Sequence, residues 1–97
     1  MTRYELTPLA RFDMREIWAY STRQWGRRVA DTYIRDLNAT IESVAQDPCL
    51  GVSAEDVRPE YRRHVFRSHV IFYTVSESGI VVVRILHQQM NAISRLS

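Results

Sequence analysis

Lysine is absent from this 97-residue chain: all 13 basic residues are arginine. A guanidinium is a planar donor fork that does not deprotonate in proteins, so such basicity suits anion recognition and makes a poor general base. Nucleotide usage in the source genome is the simplest reading of the bias itself, which leaves the placement of the arginines as the functional information. Cysteine is nearly absent too. Cys49 alone excludes an internal disulfide, and no Cys/His cluster has zinc-ligand spacing. With 3 Gly and 3 Pro the chain is neither collagen-like nor low in complexity. Long apolar runs are missing: the longest, Ile80 to Val83 resuming at Ile85, is far too short to span a bilayer. Met1 to Leu6 lacks the apolar core of a signal peptide, so a cytoplasmic protein without membrane contact is expected. No phosphate loop, Gly-Xaa-Ser-Xaa-Gly elbow or His-Glu-Xaa-Xaa-His helix occurs, which removes support for most enzyme classes.

What remains is a composition for one folded domain over residues 1–97. Hydrophobic residues make up 45% and charged residues 25%, enough apolar surface to offset chain entropy in a single core. Charge is uneven along it. Residues 1–57 hold 7 Arg and 9 acids, whereas residues 58–97 hold 6 Arg and 2 acids, so the C-terminal part is the basic part.

Hydrophobic periodicity gives the elements. Arg3 to Leu6 alternates as a short strand. Thr7-Pro8 then starts a helix, with Thr7 as cap and Pro8 where a missing N–H costs nothing. Ala10, Met14, Ile17, Ser21 and Trp25 recur at helical spacing and define its core stripe. Gly26 breaks the helix tightly, and Ala30, Tyr33, Ile34, Leu37, Ile41, Val44 and Ala45 mark a second helix that ends at Asp47-Pro48. Cys49 to Pro59 has no period and reads as a surface loop. Tyr61 to Phe66, His69 to Ser76 and Ile80 to about Gln88 are rich in β-branched and aromatic residues, with Glu77-Ser78-Gly79 as a hairpin connection. The expected fold is α+β, β-α-α-β-β-β: an N-terminal strand, an antiparallel helical hairpin and a three-strand antiparallel meander, helices on one sheet face.

Two apolar surpluses stand out. In the last strand Ile80, Val82, Arg84 and Leu86 alternate with Val81, Val83, Ile85 and His87, which makes both faces apolar and calls for a second cover, from a partner or from the tail and loops. On the first helix, Leu9, Phe12 and Tyr20 project away from or beside the core stripe among Arg15, Arg23 and Arg27, a composition favoured at protein interfaces. Metal-free RNA cleavage is the one catalytic arrangement to weigh, since His64, His69 and His87 fall in the sheet among Arg62, Arg63, Arg67 and Arg84.

Several segments then carry a resemblance in order and spacing: Ile17-Trp18-Ala19-Tyr20, Trp25-Gly26, the Ala30 to Ala45 stripe, Asp47-Pro48, Tyr61-Arg62-Arg63, Ser68 to Tyr73 and Arg84 to Asn91. Together they resemble the ParE toxins of the RelE/ParE toxin–antitoxin superfamily, over nearly the whole chain. The resemblance implies a toxin, without cofactor, metal or catalytic residues, that poisons DNA gyrase, blocks replication and is neutralised by a ParD-like antitoxin. It also raises the superfamily's other branch, the ribosome-dependent messenger-RNA endonucleases. Those tend to carry Arg where this chain has Val70, and a late Tyr or His-Tyr pair that the chain lacks after His87. A module binding nucleic acid directly through the basic C-terminal part is the other alternative; sequence-specific binding of that kind is not expected.

On this resemblance the antitoxin is expected to wrap the toxin. Leu9, Phe12, Trp18 and Tyr20 would serve as anchors, and Arg15, Arg23, Arg62 and Arg63 would pair with its acids. Contacts with the target are expected in Met90 to Ser97, at Met90, Asn91, Ile93, Arg95 and Leu96. Deletion of Ile93 to Ser97 is expected to abolish toxicity and leave folding largely intact.

Overall fold

A computed structural model describes residues 3–90 and 92–96. The first strand, β1, spans Arg3–Leu6, and helix α1 spans Pro8–Trp25. The Thr7 hydroxyl accepts from the Ala10 N–H at 3.1 Å and Pro8 takes the first helical position, so the local chemistry starts the helix where it predicts. Ala10, Ile17 and Ser21 are buried and Met14 is half-buried, as the stripe requires. Trp25 corrects it: the indole is 61% exposed and packs edge-on against Tyr20, ring centroids 6.0 Å apart. Each step of four residues rotates about 40° further round the helix, and by the last turn the stripe has left the core.

Gly26, at φ 92°, reverses the chain into α2, Arg27–Gln46. Ala30, Leu37, Ile41, Val44 and Ala45 are buried, with Tyr33 and Ile34 packed beside them. Asp47 closes the helix and its carboxylate accepts from Cys49 N–H in a short 3₁₀ turn, Pro48–Leu50. The expected loop also contains a strand, β2 (Val52–Ser53), paired antiparallel with β3 (Arg62–Phe66) through Val52↔Arg63 and Ser53↔Arg62. Two residues carry no period, so this strand exists because β3 offers it an edge.

β4 (His69–Ser76) and β5 (Gly79–His87) complete the antiparallel meander, and β1 lies parallel to β5, giving the order β1-β5-β4-β3-β2. Arg3 pairs with Gly79 so closely that a Cβ there would collide with the Arg3 carbonyl oxygen. The helices cover one face. Against them Ile71, Tyr73, Ile80, Val82 and Ile85 form the main core with Leu37, Ile41 and Val44.

The simple alternation expected in β5 does not hold. Phe72 opposes Arg84 while Tyr73 opposes Val82, so Val83 is an extra residue that resets the period. Ile80, Val82 and Ile85 therefore share the helix side, and Val83 and Leu86 the other. That second face is not left for a partner. Phe72 and Leu86 are buried beneath Ala54 and Leu96, with Val57, Tyr61 and Ala92 packed alongside. The cover consists of the 54–61 segment and a C-terminal helix, α3 (Ala92–Leu96).

Candidate functional site

Helix α1 carries the exposed surface. Leu9, Phe12 and Tyr20 are 55%, 47% and 52% exposed on one side of it, because only the side containing Ala10, Ile17 and Ser21 meets the sheet. Arg15 and Arg23 are exposed on the same helix. Trp18 sits elsewhere, in an open apolar groove between α1 and α2 lined by Met14, Arg15, Ala19 and Ile34, its indole N–H donating to Asp31 Oδ1 at 2.8 Å. Six of the eight residues expected to meet an antitoxin thus lie on one helix.

Arg62 and Arg63 do not join them. They lie on β3, two strands removed from β5, to which α1 packs. Arg62 donates to the carbonyls of Pro48 (3.1 Å) and Gly51 (2.7 Å), and Tyr73 Oη also donates to Pro48 O, so this guanidinium ties the 48–51 turn to the sheet. Arg63 pairs with Asp56 at 2.8 Å. The sequence shows the charges but not that nearby acceptors engage them.

The C-terminal set divides as well. Met90 and Ile93 are 42% and 57% exposed and Arg95 is exposed, whereas Leu96 is buried against the second face. Asn91 lies outside the described residues. The three-residue spacing of Met90, Ile93 and Leu96 suggests a helical turn or a docked tail, and α3 is both. Removing residues 93–97 would take Leu96 away from Phe72 and Leu86 on the second face, while the main core under α1 and α2 contains none of these residues.

One buried polar junction has no motif in the sequence. Where β1 stops, the cap of α1 continues along the edge of β5: the Thr7 backbone N–H donates to Val82 O (3.0 Å) and its Oγ1 to Val83 O (2.7 Å). Further along, Asp13 Oδ2 accepts from Ile85 N–H at 2.9 Å. The Arg84 fork grips the same carboxylate, Nε to Oδ2 at 2.7 Å and Nη2 to Oδ1 at 2.8 Å, and this bond raises the arginine's already high pKa against the opposing effect of burial. A signal was present: Asp13 falls on the Ala10–Ile17 stripe, and Arg84 interrupts an apolar strand. A carboxylate and a guanidinium in two such places satisfy each other.

Of the three sheet histidines, His69 and His87 come together. Their rings meet edge-on with centroids 5.5 Å apart, and His69 Nδ1 shares a 2.8 Å hydrogen bond with Tyr33 Oη. Burial lowers the His69 pKa and a charge on His87 lowers it further, against a smaller opposing pull from Asp13. Catalysis at phosphate would need a free cation here. Arg67, which lies over the rings of Tyr33 and Phe66, pairs with Asp36 at 2.8 Å. Among the described residues no cluster of three His, Cys, Asp or Glu side chains could hold a metal, and no helix is long and apolar enough to cross a membrane.

Comparison with known proteins bears on the whole chain. Residues 4–92 match the family described as the ParE toxin of type II toxin-antitoxin system, parDE. The chain is 43% identical to Toxin ParE1 of Caulobacter vibrioides over 96 residues, 99% of either chain. It is 38% identical to Toxin ParE1 of Mycobacterium tuberculosis over 91 residues, 93% of either. Among solved structures it superposes on a chain of the chromosomal ParDE TA system from P. aeruginosa with a TM-score of 0.77, covering 90% of this chain and 96% of that one. At 18% identity this likeness concerns the fold.

Proposed function

The chain belongs to the ParE toxin family of type II toxin–antitoxin systems, and from that premise we propose that it is a non-enzymatic toxin that binds DNA gyrase, blocks replication, and is neutralised by a ParD-like antitoxin. The observation that carries the binding role is the outer surface of α1. Leu9, Phe12 and Tyr20 are exposed together beside the stripe of α1 that the core uses. A small domain gains nothing in stability from aromatic and leucine side chains in water, whereas such residues beside arginines match the composition of interface centres. The antitoxin segment docks on this helix and on the Trp18 groove, with Arg15 and Arg23 meeting its acids. Arg62 and Arg63 lie away from this surface, on β3, and hold internal partners.

Supercoiling by purified gyrase on relaxed plasmid, run beside a translation reaction, tests the target. Loss of supercoiling with translation intact is the expected result. Messenger-RNA cleavage in the translation arm would replace this reading with the ribosome-dependent nuclease, and tight, steeply salt-dependent DNA binding without gyrase would replace it with a nucleic-acid module.

A further inference from the structure

We propose that the buried Asp13–Arg84 pair is a positioning device for the C-terminal helix, setting how Ile93 and Arg95 are displayed. Helix α3 has five residues, too few to hold a helical conformation alone, so its placement depends on what grips it. Three of its contacts lie at its C-terminal end. Leu96 is buried against Phe72 and Leu86, Arg58 Nη1 donates to Leu96 O at 3.0 Å, and Arg84 Nη1 reaches Arg95 O at 3.5 Å. Both guanidinia address carbonyls at the C-terminal end of the helix, which the backbone leaves without partners and where the helix dipole favours positive charge.

Arg84 is unlike Arg58 in that its orientation is fixed from elsewhere. Its Nε and Nη2 are taken by Asp13, and Asp13 is in turn locked by the Ile85 N–H and by its place on the buried stripe of α1. That leaves Nη1 aimed at α3. A lysine could keep the charge pair but has no planar fork with which to bind the carboxylate on one edge and a carbonyl with the other donor. Phe12 precedes Asp13 and is exposed, so one turn of α1 contributes both to the surface read as antitoxin-binding and to the grip on α3. The link to toxicity rests on reading α3 as the segment that meets the target; the placement of α3 does not.

The experiment uses the full chain as wild type, Arg84→Lys and Leu96→Ala, the last leaving the pair intact while removing the buried anchor. Amide exchange is followed in α3 and in α2, and gyrase supercoiling is assayed on the same samples. Arg84→Lys is expected to speed α3 exchange a few-fold, as suits a 3.5 Å contact, and by more than it speeds α2 exchange. Gyrase inhibition is expected to weaken only as far as the ordered fraction of α3 falls, little where α3 stays mostly closed and at most about tenfold where it is already largely open. If α3 exchange in Arg84→Lys equals wild type, the positioning role is overturned. If exchange rises only together with that of α2, Arg84 is a general stabiliser and the proposal also fails. Should wild type itself leave gyrase unaffected, the target reading is lost, and the exchange of α3 alone decides the positioning.

Discussion

The two faces of the sheet are covered in unlike ways. One lies under α1 and α2, 18 and 20 residues long, and shares with them a continuous core that includes Leu37, Ile41, Tyr73 and Val82. The other is closed by the 54–61 segment and the five-residue α3, around Ala54, Phe72, Leu86 and Leu96. Long amphipathic helices bring many side chains to one seam and fold cooperatively with the sheet. A short helix contributes one large side chain and a few hydrogen bonds, so its cover opens at lower cost than global unfolding. Stability therefore divides with position: α1 belongs to the main core, and α3 is a lightly held helix at the opposite face.

Substitutions can break this contrast, starting with the largest effect. Leu37→Ala, at a fully buried site of the main core, is expected to cost about 3–5 kcal/mol in denaturant unfolding. Asp13→Ala is expected to cost about 3 kcal/mol, because it strands Arg84 and the Ile85 N–H in a buried place; a loss near zero would mean that water replaces the carboxylate. Leu96→Ala should cost about 2 kcal/mol or less, with amide exchange raised in α3 and not in α2. An equal loss at Leu37 and Leu96 would erase the distinction between the two covers. Phe12→Ala should change stability by no more than about 0.5 kcal/mol and weaken antitoxin binding by about 2 kcal/mol, measured by calorimetry with the co-encoded antitoxin.

The smallest effect sharpens the comparison through pH. The folded pKa of His69 is lowered, by burial first and then by His87, so below the ordinary histidine range the unfolded chain binds the extra proton before the folded one does. Its contribution is complete above that range and is lost as pH falls through it toward the lowered folded value. Denaturant midpoints from pH 8 to 5, at about half-unit steps, should show this slope in wild type and a shallower one in His69→Gln. Identical slopes would remove His69 from the account.

Much of the architecture was legible because it is local. The Thr7 cap, Pro8, Gly26 and Asp47-Pro48 fix helix ends through backbone chemistry, and the period of Ala30 to Ala45 fixes which side of α2 is buried. The arginine-only basicity was equally plain, as was the crowd of Leu9, Phe12 and Tyr20 on one helix. What those residues face required the tertiary structure. Trp25 left the core because a stripe drifts with length, and Val83 reset the alternation of β5 because a bulge depends on the partner strand. Two residues became β2 because β3 was there to pair with them. Above all, the arginines acquired separate roles only in three dimensions. Arg62 holds a turn, Arg63 meets Asp56, Arg67 covers Tyr33 and Phe66, and Arg84 joins Asp13 to α3, while Arg15 and Arg23 remain on an exposed helix surface. Sequence determines the charge and local conformation of each; the acceptor a guanidinium finds is set by residues up to 71 positions away, which the folded chain alone brings within reach.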